Sequence, residues 1–329
     1  MNVIIPVAGV GTRLRPHTLT MPKVLMNVAG HPMIYYIVDE LIRKKIADKI
    51  IFIIGYKGDE IKSYLKRAFK FKFDFVEQKE MLGLGHAVLC AKEKFDPLKN
   101  EEALIILGDT LFDVDLKDIV RSKFSAIGVK KVDDPKRFGV VETNRKGFIT
   151  RFVEKPASPE VSPSNDAIVG IYLIKNSNLL FNSIDHIIKN NITTKGEYQI
   201  TDAMEVMIKQ NEKFVPYYVE GWLDCGKHET ILETNQYLLQ KNNKKYSFKN
   251  CMINYPVFIG KDVTLDNCII GPFTAINDGC IARNSIISNS IIENNTHIEN
   301  SIIKDSLIGK HSKIIQKSKI LSLGEYSEI

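Results

Sequence analysis

The run VIIPVAGVGTRLRPHTLTMPKVL, residues 3 to 25, joins an apolar strand directly to a glycine-rich turn, and that junction constrains the fold more than any other part of the chain. A buried strand ending in Gly9-x-Gly11 exposes backbone N–H groups where no Cβ blocks a ligand. Thr12 and Arg13 follow at once, and Lys23 comes behind Pro22. Backbone donors and two cations in one place suit a polyphosphate, and a nucleoside triphosphate in particular.

Two common glycine signatures do not fit. The dinucleotide fingerprint needs a third glycine where this chain has Leu14, and the P-loop needs Gly-Lys-Ser/Thr. The nearest approach to the latter, GWLDCGKH, ends in His228 where a magnesium-binding hydroxyl belongs.

Short β-branched runs alternate with amphipathic stretches through the first third of the chain. Val3 to Val7, Ile50 to Ile54, Phe73 to Val76 and Leu104 to Leu107 predict strands, while 32–45, 58–69 and 84–94 have helical spacing. The alternation predicts a Rossmann-like α/β unit with a mixed, mostly parallel sheet covered on both faces. Ligands of such sheets bind at the carboxyl ends of strands, so the glycine turn, Gln78 and Asp109 are expected to share one crevice. Adjoining strands follow from 125 to 175, with a hairpin turn at Asn144 to Gly147. Helices are predicted at 177–189, 200–210 and 227–240, and a strand at 213–219. The segment KNNKKYSFKN, 241–250, is polar and basic and reads as a boundary. After it come VFIGKD, VTLDNC, IIGPFT, IIENNT, IIKDS and LIGKHS, a step of five or six residues with a branched apolar residue at a fixed phase. That step matches a hexapeptide parallel β-helix.

The pattern G-x-G-T-R-L-x-P-x-T, then P-K-x-L, then Gly-His-Pro-Met at 30–33, resembles the signature of the sugar-1-phosphate nucleotidylyltransferases. It is most similar to their glucose-1-phosphate thymidylyltransferase and uridylyltransferase group. Later landmarks recur in order: Gln78 before LGLGHA, Leu107-Gly108-Asp109, RFGVVE at 137–142, Glu154-Lys155-Pro156, GEYQITDA at 196–203 and WLDCG at 222–226. The resemblance implies a nucleotidylyltransferase domain over 1–245 and a left-handed parallel β-helix over 250–329. At about 18 residues per coil, the latter allows roughly four coils. It implies transfer of a nucleotidyl group from UTP or dTTP to a sugar-1-phosphate, expected to be glucose-1-phosphate, with release of pyrophosphate.

A phosphate monoester is mostly dianionic near neutral pH, so its attack on the α-phosphorus needs no general base. The protein must align two polyanions and offset their charge. By resemblance, Arg13 holds the β- and γ-phosphates, Lys23 reaches the phosphates near the reacting centre, and Gly9, Gly11 and Thr12 complete the turn. Asp109 and Asp224 would be the ligands of Mg2+, which needs one or two carboxylates beside phosphate oxygens. Lys155 resembles the lysine for the sugar phosphate, with Glu154 on sugar hydroxyls and Gly139 allowing close backbone approach. Lys195 stands where thymidylyltransferases often carry arginine. Gln78 resembles the glutamine that reads a pyrimidine through its amide donor and acceptor, with the Gly83 backbone completing the contact. GDP-mannose pyrophosphorylases usually carry E-N-x-P-L-G-T here, which favours UTP or dTTP over GTP. Uracil and thymine differ by one methyl, worth about 1–3 kcal/mol of discrimination, and both stay open. Taken singly, each residue has a plainer role, the aspartates as helix caps and the arginine in a solvated loop; only the ordered set points to chemistry.

Composition adds exclusions. With 44% hydrophobic and 26% charged residues the chain reads as an ordinary globular protein. A net charge of +6 over 329 residues fits anionic small substrates and does not mark a nucleic-acid binder. A strand follows Met1-Asn2 with no basic n-region or cleavage site, and no apolar run nears the roughly 20 residues that span a bilayer, so a cytoplasmic, membrane-free location is expected. Cys90, Cys225, Cys251, Cys268 and Cys280 are odd in number and form no C-x-x-C pair, so they read as small buried hydrophobes. Stacked β-helices imply a homo-oligomer. Two other readings stay open: a catalytically silent regulatory or scaffold subunit, against which the retained Arg13, Lys23 and aspartates count, and a bifunctional enzyme with acyltransferase activity in the β-helix, for which His297 and His311 are the candidate bases.

Overall fold

A computed structural model describes residues 1–241 and 244–316. Packing separates two compact units: Met1–Met26 with Pro32–Gly226, and Asn27–His31 with the chain from Lys227 onward.

In chain order the first part runs β1 (Asn2–Pro6), the short α1 (His17–Thr20), the two-residue strands β2 (Asn27–Val28) and β3 (His31–Pro32), and α2 (Met33–Arg43). Next come β4 (Lys49–Ile54), α3 (Gly58–Ala68), β5 (Phe73–Glu77), α4 (Leu84–Leu89), β6 (Ala103–Ile106) and β7 (Thr110–Asp113). They are followed by α5 (Leu116–Val120), β8 (Ser125–Lys131), β9 (Gly139–Thr143), β10 (Ile149–Glu154) and β11 (Asp166–Ile174). The last are α6 (Ser177–Lys189), α7 (Ile200–Lys209), β12 (Phe214–Tyr218), β13 (Gly221–Asp224) and α8 (His228–Gln240).

Nine strands form one sheet in the order β5-β4-β1-β6-β11-β8-β12-β10-β9. The four strands from the first third pair in parallel, and β1, β4 and β6 are apolar throughout their centres because both faces are covered. Helix α2 buries Met33, Ile34, Ile37, Val38 and Leu41, one stripe at the helical period. Beyond β6 the sheet is less parallel than expected: β11 runs antiparallel to β6 and β8, and β9 and β10 form an antiparallel hairpin across the predicted turn at Asn144–Gly147. The reason is local, since a tight turn joins antiparallel neighbours whereas parallel ones need a crossover. The register of β11 against β8 breaks between Ile168 and Tyr172, where Gly170 takes φ +90° and its carbonyl accepts from Leu107 N–H. A Cβ at Gly170 would meet the Leu107 side chain at 2.8 Å.

Among the described residues of the second unit, twelve short strands form three four-stranded parallel sheets, consistent with the parallel β-helix that the repeat predicted and the resemblance gave as left-handed. Met252 lies beside Ile269, Ile269 beside Ile286 and Ile286 beside Ile302. Equivalent asparagines recur at 17 and 16 residues, a slightly tighter coil than expected. Ile259, Ile270, Ile276, Ile287, Ile292 and Ile298 fill its interior. Residues 317–329, the end of the predicted β-helix, lie outside the described residues. Helix α8, counted with the first domain in the sequence, packs with this unit: buried Asn235 accepts from Ala29 N–H at 2.8 Å and donates to the Phe273 carbonyl at 3.0 Å.

Candidate active site

Two cavities of about 370 and 390 Å³ lie in the first unit at the carboxyl ends of its strands, each within the size range of small-ligand sites. Gly9, Gly11, Thr12, Arg13, Lys23 and Asp109 line the first. Gly139, Glu154, Lys155 and Asp224 line the second, together with Arg13 and Asp109. Arg13 and Asp109 therefore stand in a wall common to both.

The two turn glycines serve different ends. Gly11 takes φ +69°, where a Cβ is strained, and that Cβ would press at 3.1 Å on both Lys23 Cβ and Thr18 Cγ2. Gly11 thus lets the turn pack on the P-K-x-L segment, and Thr18 Oγ1 donates to its carbonyl at 2.9 Å. Around Gly9 there is open space within 4 Å. Among the described residues the N–H groups of Gly9, Val10 and Gly11 are given to no acceptor. A turn whose successive N–H groups are unclaimed by the protein beside a cavity is a ready anion cradle.

The 3-10 turn Lys23–Leu25 buries Lys23, whose Nζ donates to Asp109 Oδ2 at 2.7 Å. Burial pushes the Asp109 carboxyl up, but the Lys23 ammonium and the Thr110 hydroxyl outweigh it and hold it below its ordinary value. Arg13, exposed, makes no ion pair among the described residues. The buried cation is neutralised within the protein, and the exposed one is left for a ligand.

Strands β7 and β13, both absent from the sequence-level prediction, bring the two aspartates together. They pair antiparallel with Asp224 opposite Thr110, and Cys225 N–H donates to the Asp109 carbonyl at 3.3 Å. LGD and WLDCG, 115 residues apart in sequence, so become neighbours. A Cβ at Gly226 would lie 3.0 and 3.1 Å from the Asp224 carboxylate oxygens and 3.4 Å from Arg13 Nη2, which makes that position another close approach. Two adjacent carboxylates fit a hard divalent cation that takes its remaining ligands from phosphate oxygens and water. No cluster of three or more acidic, histidine or cysteine side chains suited to a metal occurs among the described residues, so the substrate would have to complete such a site.

On the second cavity's far side, Gly139 and Glu154 are register partners of the β9–β10 hairpin. A Cβ at Gly139 would meet Glu154 Oε2 at 2.9 Å, so this glycine makes room for the carboxylate itself. Lys155 follows with φ +48°, uncommon for a side-chain-bearing residue, and its Nζ pairs with Glu154 Oε1 at 3.2 Å. Trp222, Tyr172, Gln199 and Thr201 also line this cavity, and sequence reasoning assigned them no individual role although three belong to quoted motifs. Trp222 stacks edge-on to Phe138 with ring centroids 4.7 Å apart.

Three expected residues line neither cavity. Lys195 is exposed at a turn tip with φ +57°. Gln78 is buried just past β5, its N–H donated to the Ile54 carbonyl, and Gly83 caps α4 beside Leu84, which lines both cavities. The GEYQ segment buttresses this loop. Tyr198 N–H donates to Leu82 O and its carbonyl accepts from Gly85 N–H, each at 2.8 Å. A Cβ at Gly83 would strike that same carbonyl at 2.7 Å. In the second unit, His297 Nε2 lies 2.7 Å from Glu299 Oε1, which also accepts from Arg283 at 3.1 Å. Cys225, Cys268 and Cys280 are buried, Cys90 and Cys251 partly so, and none of the five is in a disulfide.

A family model described as "Nucleotidyl transferase" matches residues 2–241. The chain is 38% identical over 244 residues to "Bifunctional protein GlmU" of Methanocaldococcus jannaschii, covering 74% of this chain and 55% of that protein. It is 30% identical over 253 residues to "UTP--glucose-1-phosphate uridylyltransferase AglF" of Haloferax volcanii, covering 74% of this chain and 99% of the relative. It thus spans just over half of the first relative's length and nearly all of the second's. Among solved structures, a UDP-glucose pyrophosphorylase complexed with UDP-glucose superposes with a TM-score of 0.61 at 26% identity, covering 73% of this chain and 99% of the other. A family match over most of the chain, a fold shared with that pyrophosphorylase, and a strand-end glycine turn facing two joined cavities agree: the chain belongs to the nucleotidyl transferase family.

Proposed function

We propose that this protein transfers a nucleotidyl group from UTP or dTTP to a sugar-1-phosphate, glucose-1-phosphate first among the candidates, and releases pyrophosphate. The observation that carries the reading is the shared wall: Arg13 and Asp109 border both cavities, so phosphates entering from either side meet there. In this reading the triphosphate lies on the unclaimed amides of the glycine turn, with Arg13 on its departing β- and γ-phosphates. A planar, multidentate guanidinium suits that charge better than a point cation. Lys23, held by Asp109, presents its ammonium toward the α-phosphate, and Lys155 anchors the phosphate of the sugar. Glu154 faces the sugar hydroxyls.

Asp109 and Asp224 would hold Mg2+, which when bound supplies Lewis-acid neutralisation of the phosphate oxygens. The side chains themselves bring the two phosphates into line and offset their repulsion. The pyrimidine preference is supported by Gln78 and Gly83 and by the name of one relative, the UTP--glucose-1-phosphate uridylyltransferase of Haloferax volcanii. A cytoplasmic location and a homo-oligomer assembled through the β-helix belong to the same proposal; among the described residues no helix is long and apolar enough to cross a membrane.

The test is pyrophosphate release with Mg2+ and glucose-1-phosphate, supplying UTP, dTTP, GTP, CTP and ATP separately. Turnover with UTP or dTTP that vanishes in Asp109→Ala supports the reading. Silence with every triphosphate, across several sugar phosphates, rejects it in favour of a non-catalytic subunit.

A further inference from the structure

Gln78 cannot use both halves of its amide on a ligand. Its Nε2 lies 3.2 Å from the Gly83 carbonyl and 3.2 Å from His86 Nδ1. A carbonyl oxygen can only accept, so the atom facing it must be the amide nitrogen, and this fixes the orientation of the side chain. With that nitrogen in place, His86 Nδ1 can only accept, and the ring carries its proton on Nε2. Both amide hydrogens of Gln78 are then consumed within the protein. What remains is Oε1, to which no described residue donates and which is not among the buried oxygens sealed from solvent.

We infer that His86 is a positioning residue that locks Gln78 as a pure acceptor, so that the base site selects a ring N–H, as in uracil and thymine, and rejects the lone pair that cytosine presents at the same ring position. The inference rests on the proposed reading of Gln78 as the base-reading residue, and it replaces the expectation that Gln78 would read the base as donor and acceptor together. The lock is built from two directions. Gly83 O is itself held by the first turn of α4, where it accepts from Ala87 N–H at 3.1 Å. His86 sits one helical turn along the chain, on that same helix. Without the His86 acceptor, one amide hydrogen has no partner, and rotation of the amide to present a donor outward is no longer penalised by two lost bonds.

The experiment compares kcat/KM for UTP, dTTP and CTP in the wild-type chain, His86→Phe and His86→Asn, with glucose-1-phosphate as acceptor. Phenylalanine keeps the bulk and removes the acceptor; asparagine places an amide oxygen near the site of Nδ1 and restores it. The expected result is a fall of about ten-fold in the UTP-to-CTP ratio for His86→Phe, recovery in His86→Asn to within about three-fold of wild type, and an unchanged UTP-to-dTTP ratio. Equal losses with all three nucleotides would make His86 merely structural and overturn the inference while leaving the proposed function intact. Wild-type preference for CTP would overturn it together with the UTP-or-dTTP part of the proposed function, leaving only nucleotidyl transfer itself. Wild-type silence with all three would reject the proposed function, and this inference with it.

Discussion

The two units use the same uncommon backbone conformation to opposite ends. In the β-helix, Asn267, Asn284 and Asn300 take φ of 51°, 47° and 52° at successive turns. Each side-chain amide donates to the next acceptor up the stack, Asn267 to Asn284, Asn284 to Asn300 and Asn300 to the Gln316 carbonyl. Asparagine tolerates the left-handed region, and repetition supplies its partners. In the α/β unit the positive-φ residues beside the cavities are Gly11, Lys155 and Gly170. Close by, three turn N–H groups and the Arg13 guanidinium have no partner among the described residues. Polar groups that a fold could satisfy and does not are where a ligand belongs; polar groups satisfied by their own repeat contribute stability.

The largest effect should come from the unpaired cation. Arg13→Ala is expected to lower kcat/KM for pyrophosphate release roughly 100- to 1000-fold with the melting temperature unchanged, and Arg13→Lys to recover only part, since a point charge lacks the guanidinium fork. A large loss of thermal stability would break the comparison by making Arg13 structural. Next, Gly11→Ala should cost about 1–3 kcal/mol of stability from the strained φ and the clash with Lys23. Gly9→Ala, with open space around it, should stay within about 0.5 kcal/mol yet raise KM for the triphosphate. Parallel melts and UTP titrations of the two variants check this, and similar behaviour of both would erase the distinction drawn between the glycines.

In the β-helix, Asn284→Ala should cost about 1–2 kcal/mol, losing two ladder bonds and a tolerated left-handed residue, while activity holds. Asn284→Gly, with the backbone strain relieved, should cost less in the same calorimetric scan. The smallest effect concerns pH. Glu293 is buried and accepts from Asn27 N–H at 3.1 Å and from its side-chain amide at 2.6 Å. Burial pushes its carboxyl above the ordinary value, against the Asn27 hydrogen bonds and the Lys310 ammonium. The folded form then holds a proton more tightly than the unfolded chain. Stability contributed here is therefore greatest at and below the ordinary glutamate range and declines as pH rises from there through the raised folded value. Glu293→Gln should flatten that slope; identical slopes in both proteins would show that another group sets it.

Much of this organisation was legible from residues alone. The β-branched runs at β1, β4, β5 and β6 fell where strands lie, and the 3.6-residue stripe of α2 was plain. The helix expected over 84–94 stops at Leu89, with a separate 3-10 turn at Lys92–Lys94, because Ala91 N–H turns back to the Val88 carbonyl three residues earlier instead of continuing the four-residue ladder. What stayed hidden was pairing at long range. Four-residue strands such as β7 and β13 carry too little alternation to be recognised, and nothing local says that Asp224 will sit opposite Thr110. The use of the Gln78 amide was hidden for the same reason, since motif spacing names the residue but not which of its atoms the fold has already engaged.

The wall common to both cavities also bears on how such a protein can diverge. Because Arg13 and Asp109 border two chambers at once, a substitution there would, on the proposed reading, alter both halves of the product together. Away from that wall the linings are separate stretches of chain: Gly9, Gly11 and Val24 on one side, the β9–β10 hairpin with 199–201 on the other. On the proposed reading, the triphosphate side and the sugar side could therefore drift independently, like two interchangeable jaws mounted on one fixed hinge pin, and a chimera that exchanges one lining between relatives would carry one preference across and leave the other behind.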